Sequence, residues 1–298
     1  MSPLFYGVYP AATTQFHDDL SLDLDSTKRH LEVLIEAGVQ GLVMLGSLGE
    51  NNMLDPDEKI AVLRAAVEVS NGRVPVVSGV SEFSTAQASR HAEAAAKVGC
   101  KGLMVLPAMV YPADDREVIA HYRSVAKATD LPIIVYNNPV AYKIDVTPAM
   151  LEELADDPKF QATKESSADP RRVTDLINRL GDRYVIMGGV DDLILECALL
   201  GAKGWIAGVG LAFPRENQRL WDLAMAGRWA EAVELYRWFT PLLHLDIGPK
   251  FVQKIKLCLQ EVGLGKETVR PPRLNLSGAE REETLRVIRE GIANRPVL

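Results

Sequence analysis

Eight times along the chain a short β-branched, apolar run ending in small or polar residues gives way to a longer amphipathic stretch, and no other feature restricts the possible fold as much. The strand-like runs are Gly7–Thr13, Gly41–Ser47, Val74–Val80, Gly102–Ala108, Pro132–Asn138, Phe160–Ser166, Tyr184–Val190 and Gly204–Gly210. Helical period marks the stretches between them, among them Ser26–Ala37, Asp55–Ser70, Ser84–Val98, Asp114–Ala128 and Pro170–Arg179. Asp55-Pro56-Asp57-Glu58 carries a helix-start signal, because Asp55 can accept backbone N–H groups and Pro56 suits the first helical position.

Strict alternation implies right-handed crossovers and a parallel sheet, and eight units close into a (β/α)8 TIM barrel. An open, doubly wound sheet is the competitor, but no GxGxxG follows the first strand, and Gly46-Ser47-Leu48-Gly49-Glu50 has the wrong spacing for a dinucleotide loop. After the eighth unit the pattern is helical only: Trp229–His244, Pro249–Val262 and Gly278–Ala293, broken by Arg270-Pro271-Pro272-Arg273. Residues 1–227 are therefore expected to form a catalytic barrel, and 228–298 an appended C-terminal helical region packed on it.

A formal charge of −7 and the lack of any Lys/Arg block offer nothing to phosphate backbones or anionic lipid, so nucleic acid and membrane are not expected partners. Neither a basic stretch followed by an apolar run at the N-terminus nor a long uninterrupted apolar window is present, and a cytoplasmic location is the expectation. Cys100, Cys197 and Cys258 match no CxxC or zinc spacing and read as free, buried thiols. The five histidines show no pairing at metal-ligand spacing, so no metal is assigned.

In barrels of this kind the active site lies at the C-terminal strand ends, and that rule sorts the lysines. Lys101 and Lys203 precede strands; Lys28, Lys59, Lys97 and Lys127 fall in helical stretches; Lys164 alone sits late in a strand, within Phe160–Ser166. An ammonium in a partly desolvated barrel mouth is costly, which lowers its pKa and frees an amine to attack carbonyl carbon. The plainer reading is a strand-end lysine paired with a carboxylate such as Glu165. Strand five ends in Tyr136-Asn137-Asn138-Pro139, placing next door a phenol able to shuttle protons, or else simply a barrel-mouth aromatic. Strand two ends in a Gly-flanked turn, Gly46-Ser47-Leu48-Gly49, whose backbone N–H groups can hold a carboxylate without arginine.

Taken together, Gly46-Ser47-Leu48-Gly49-Glu50, Tyr136-Asn137-Asn138-Pro139 and Lys164-Glu165 make the chain resemble, over nearly its whole length, the dihydrodipicolinate synthase and N-acetylneuraminate lyase family of class I aldolases. The resemblance implies a TIM barrel with C-terminal helices, no metal or organic cofactor, a small 2-oxo or 2-imino carboxylic acid as substrate, and assembly as a homotetramer or dimer. It implies Lys164 as the Schiff-base nucleophile, Tyr136 as proton shuttle, and Ser47, with the N–H groups of Ser47 and Leu48, as the holder of the substrate's 1-carboxylate. Gly46, Asn138 and Ile206 would complete the substrate contacts.

Departures from the family pattern bear on specificity. Leu48 stands where the family has a second hydroxyl. The synthase's second relay tyrosine after strand four, which completes a relay across a subunit interface, is missing from Pro107-Ala108-Met109-Val110-Tyr111, so that Tyr111, displaced by two positions, is the substitute on offer. Ala141 replaces the arginine that grips the synthase's second carboxylate, and a bidentate guanidinium contact has no neutral equivalent, although Lys143 nearby could offer a point charge. Gly7–Thr14, Asn138–Tyr142 and Lys164–Ser167 resemble more closely members that deaminate 1-pyrroline-4-hydroxy-2-carboxylate to 2,5-dioxopentanoate. The apolar residues Leu48, Ala108 and Met109 also suit a compact substrate. Three rival readings stay open: a pyruvate-releasing aldolase acting on a 2-keto-3-deoxy sugar acid or a sialic acid; dihydrodipicolinate synthesis, demoted by Ala141 but not excluded; and a catalytically silent ligand-binding barrel.

Overall fold

The computed structural model describes residues 4–108 and 110–298. Its eight parallel strands are β1 (Gly7–Val8), β2 (Leu42–Met44), β3 (Val76–Val80), β4 (Gly102–Val105), β5 (Ile133–Asn137), β6 (Phe160–Glu165), β7 (Val185–Gly188) and β8 (Gly204–Trp205). They pair in the order β1-β8-β7-β6-β5-β4-β3-β2. The two ends of that order meet: Gln40 N–H donates to Val8 O (2.9 Å), Val43 N–H to Pro10 O (3.0 Å) and Ala12 N–H to Val43 O (2.8 Å), which closes the TIM barrel between β1 and β2. Strands buried on both faces need apolar side chains throughout, and β3, β4 and β5 are buried at every position.

The first and last strands are shorter than their sequence patterns suggest. Their pairing continues past the regular strands through Tyr9 N–H to Trp205 O (2.8 Å) and Ala11 N–H to Ala207 O (2.8 Å), and then stops. After Ala207 the chain leaves the sheet because Gly208 and Val209 give their N–H groups to the carboxylate of Asp191, at 3.0 and 2.7 Å.

The helices follow the sequence signals closely. They are α1 (Leu24–Glu36), α2 (Pro56–Ser70), α3 (Thr85–Val98), α4 (Asp115–Lys127), α5 (Pro139–Tyr142), α6 (Pro148–Leu154), α7 (Arg171–Leu180), α8 (Ile194–Leu200), α9 (Pro214–Met225), α10 (Trp229–Leu243), α11 (Phe251–Glu261) and α12 (Gly278–Ala293). Asp55 and Glu58 form a reciprocal capping box at the start of α2, as do Asp114 and Glu117 at α4. The helix expected from Pro249 begins at Phe251 instead, leaving Pro249 in a segment that borders the barrel mouth.

Three helices follow the barrel proper. A stacked pair, Trp238 and Phe239, meets Phe213 edge to face at 5.6 and 6.0 Å, and Trp238 Nε1 donates to Gly291 O (3.0 Å), so α10 and α12 share one apolar seam with the loop after β8. Cys100, Cys197 and Cys258 are free thiols and buried. No helix among the described residues is long and apolar enough to cross a membrane.

Candidate active site

Strand alternation puts Lys164 inside the barrel and Glu165 outside it. Glu165 accepts from Ser167 N–H (2.6 Å) and Asn137 Nδ2 (3.1 Å), so the neighbouring carboxylate is engaged elsewhere and is not the lysine's counter-ion. Lys164 is directly opposite Tyr136 in the β5–β6 register, and its Nζ lies 4.1 Å from the centre of the Tyr136 ring. Both line a cavity of about 560 Å³ at the C-terminal end of the barrel. Only 7% of the Lys164 surface is exposed.

Burial pushes the Lys164 amine below the ordinary lysine range, against the opposing pull of Tyr142, Asp246 and Asp191. Room for the side chain comes from Gly189, at the end of β7. A Cβ there would fall 2.2 Å from Ser166 Oγ and 2.5 Å from Lys164 Cε. Ser166 Oγ borders the same cavity, is buried, and has no hydrogen-bond partner among the described residues.

The turn after β2 opens with Leu45 in the left-handed region at φ 58°, a conformation costing a non-glycine residue about 1–3 kcal/mol. Among the described residues no acceptor takes the N–H of Ser47 or Leu48, whereas Glu50 N–H and Asn51 N–H close the turn on Ser47 O (3.2 Å) and Gly46 O (3.4 Å). Gly46, Ser47 and Leu48 all face the cavity, so this turn presents a small anion nest opposite the lysine.

The Ser47 hydroxyl is hydrogen-bonded to the Tyr142 hydroxyl. Tyr142, the last residue of α5, stands edge-on to Tyr136 with ring centres 5.6 Å apart and planes at 88°. Asn138 fixes this arrangement from two sides, capping α5 through Oδ1 to Ala141 N–H (2.9 Å) and donating Nδ2 to the Tyr136 hydroxyl (3.2 Å). Burial raises the pKa of both phenols, so both are neutral hydroxyls at rest, able to give and receive a proton.

Ser47, Tyr136 and Lys164 are thus brought to one cavity together with Gly46, Leu48, Asn138 and Ile206. Tyr111 is not among them. It is 55% exposed and its hydroxyl donates to Glu117 (2.7 Å), because the capping box of α4 holds that carboxylate beside it. Beside Ser47, within the same chain, stands Tyr142, which sequence reasoning passed over. Met109, expected near the substrate, lies outside the described residues. Lys143 borders the cavity, but its Nζ donates to Val140 O (3.1 Å).

Glu50 and Asn137 turn away from the chemistry. Glu50 is fully buried against Lys256, and the Asn137 amide ties Val146 N–H (2.8 Å) to Glu165. Two further acids were missed. Asp191 accepts from Trp205 Nε1 (2.9 Å) as well as from Gly208 and Val209, while Asp246 reaches the cavity from the segment joining α10 to α11.

Comparison with known proteins agrees with this geometry. The dihydrodipicolinate synthetase family profile matches residues 4–290. Among curated proteins, the chain is 32% identical over 287 residues to a 4-hydroxy-tetrahydrodipicolinate synthase of Desulforamulus reducens, covering 95% of this chain and 96% of that one. It is 34% identical to one from Xanthomonas axonopodis pv. citri, covering 96% and 95%. Solved relatives include the enzyme of Methylacidiphilum fumariolicum SolV, with a TM-score of 0.91 at 27% identity, covering 97% of both chains. The pyruvate complex of the Acinetobacter baumannii dihydrodipicolinate synthase has a TM-score of 0.92 at 25% identity, covering 97% of this chain and 99% of that one. A TIM barrel with an inward lysine late in β6, matched to this family over nearly its whole length, belongs to the dihydrodipicolinate synthetase family of class I aldolase-type, Schiff-base-forming lyases.

Proposed function

We propose that this enzyme deaminates and dehydrates a small 2-imino acid carrying one carboxylate, 1-pyrroline-4-hydroxy-2-carboxylate, to 2,5-dioxopentanoate and ammonia. The observation that carries the reading is the wall of the cavity beyond the lysine. Val140, Ala141, Val190, Ile206 and Ile247 line it, and no arginine is found among the described lining residues. A second carboxylate, as a dicarboxylic condensation product would bear, has no guanidinium to receive it.

In this reading the N–H groups of Ser47 and Leu48 hold the single carboxylate and set C2 against the amine of Lys164. The neutral amine adds to C2, and the C2–N bond to the ring nitrogen breaks as that nitrogen takes a proton, giving an open-chain lysine imine. Tyr136, 4.1 Å under the amine and linked through Tyr142 to Ser47, carries protons during addition and then takes one from C3. The C3–H electrons form C3=C4 as the 4-hydroxyl leaves as water. Moving a proton from C5 to C3 shifts the double bond towards the nitrogen and turns the C5 amine into an enamine and then an imine; hydrolysis of that imine frees ammonia and hydrolysis of the lysine imine frees the product, so the net reaction consumes one water.

The test is a panel of 2-oxo acids and the hydroxypyrroline carboxylate, with ammonia and pyruvate assayed separately. Ammonia and 2,5-dioxopentanoate from the pyrroline are expected; pyruvate without ammonia from any panel member would sink the reading in favour of aldol cleavage. Borohydride with pyruvate should fix a covalent adduct on Lys164, and its absence would mean the barrel is silent.

A further inference from the structure

Two carboxyl groups act on the Lys164 amine, one from the turn after β7 and one from the segment joining α10 to α11. Asp191, just past β7, is fully buried, and its oxygens accept from the Trp205 indole, Gly208 N–H and Val209 N–H. Burial raises the Asp191 carboxyl, but donors on both oxygens and the Lys164 amine oppose that shift, so Asp191 is the member of the pair better equipped to keep the negative charge. Asp246 has no such set: among the described residues no side-chain donor reaches its carboxyl, the backbone of Asp191 offers it one weak contact, and it retains some surface only because it lines the cavity. Two carboxyls beside each other resist double ionisation, and the shared proton settles on the one with fewer donors.

The placement of Asp246 is enforced. His244 Nδ1 contacts the Asp192 carboxylate at 2.8 Å, and the Tyr236 hydroxyl donates to the Asp192 carbonyl, which fastens the end of α10 to the turn after β7. The carboxyl then fits against Gly208, where a Cβ would fall 2.7 Å from Asp246 Oδ1 and 3.0 Å from its Cγ. Burial, reinforced by Asp191, drives the Asp246 carboxyl well above the ordinary carboxylate range, while Lys164 pulls the other way. A neutral amine and a neutral acid in one cavity carry the same net charge as an ion pair, but only the neutral pair is ready for both nucleophilic attack and proton donation.

We infer that Asp246 is a catalytic acid, delivering its proton to the hydroxyl that leaves C4 of the lysine-bound substrate. The inference rests on the deaminase reading above. In the elimination, Tyr136 takes the C3 proton from the β5 side, the C3–H pair becomes the C3=C4 bond, and the C4–O bond breaks with its electrons on oxygen. That oxygen takes the Asp246 proton from the β7–β8 side and departs as water. Asp246 is left as a carboxylate and is reprotonated in the later hydrolytic steps. Hydroxide is a poor leaving group, so the step requires a donor, and Asp246 lines the same cavity as Tyr136 and Lys164.

The experiment compares Asp246→Asn and Asp246→Glu with the wild type on two substrates: the 4-hydroxy pyrroline carboxylate and its 4-fluoro counterpart, whose fluoride departs without full proton transfer. For Asp246→Asn, kcat on the hydroxy substrate should fall at least about 100-fold, the scale of general acid catalysis. KM should stay within about threefold, consistent with a loss confined to the transition state. The 4-fluoro substrate should lose far less, Asp246→Glu should recover part of kcat, and borohydride trapping of pyruvate should be intact in both variants. Unchanged turnover in Asp246→Asn, or an equal loss on both substrates, would overturn the assignment. Loss of trapping would overturn it as well, since Asp246 would then serve the lysine and not the leaving group. If the wild type releases no ammonia from the pyrroline, the reading of the substrate fails before Asp246 is tested.

Discussion

Lys256, on α11, meets Glu50, in the turn after β2, with Nζ 2.9 Å from Oε1 and neither side chain exposed. The amine also donates to Thr14 O (2.9 Å) and lies 4.5 Å from the centre of the Phe16 ring. The other Glu50 oxygen accepts Arg270 N–H (3.1 Å). Both charges are therefore fully partnered, and the partnership joins parts of the chain 206 positions apart.

Removing one member of such a pair strands the other, so Lys256→Met should destabilise the fold by about 3–5 kcal/mol. The double replacement Lys256→Met with Glu50→Gln should recover much of that loss. Chemical denaturation of the four proteins in the cycle measures it. Full additivity of the two single changes would show that the residues do not act as a pair.

His30 is buried on α1, with Nε2 2.9 Å from Leu211 O, and burial pushes its pKa down to about 4 from 6.5. A base whose folded pKa is depressed is protonated first in the unfolded chain. Stability is unaffected above pH 6.5, falls as the pH drops through the window to about 4, and the loss there levels off at about 3 kcal/mol, taking 1.36 kcal/mol per pK unit. His30→Gln keeps a donor for Leu211 O and removes the titration. Its stability between pH 6.5 and 4 should decline less steeply than that of the wild type, as read by thermal melts across that range.

The eightfold alternation announced the barrel because each strand and helix satisfies its own local pattern, and Lys164, Tyr136 and Ser47 could be ranked since strand ends in a barrel share one face. Residues brought in by irregular backbone were harder to find. Tyr142 is six positions after Tyr136, but its hydroxyl meets Ser47 only because Asn138 caps a single-turn helix there. The Tyr111 hydroxyl is held outward by the Asp114 and Glu117 capping box, away from the cavity of its own chain, a direction that residue type and spacing do not encode. Asp246 and Lys256 come from the helical tail, where periodicity tells of a buried face and nothing of what that face meets.

Gly189→Ala should leave the barrel folded while forcing Lys164 and Ser166 aside, given the 2.5 and 2.2 Å approaches of the added methyl. A displacement of about 1 Å at a reacting group can cost 100-fold, and a fall of that order in kcat/KM is expected. Slower borohydride trapping of pyruvate should accompany it. Normal trapping kinetics would mean that the amine keeps its place.

The two tyrosines can be separated directly. Tyr142→Phe removes the hydroxyl partner of Ser47 and should lower kcat by about 100-fold or more, the range for a lost proton-transfer group, whereas Tyr111→Phe should stay within about twofold of the wild-type rate. Steady-state kinetics on the proposed pyrroline substrate decides between them, and the opposite ranking would make Tyr111 the relay residue.

The contact between Ser47 and Tyr142 lies within a single polypeptide. A catalyst whose hydroxyl chain is furnished from its own loops has no need to borrow one from a neighbour. Specific activity should therefore hold steady on dilution to concentrations at which any assembly comes apart, and selection on subunit contacts is free to follow stability without dragging the chemistry along.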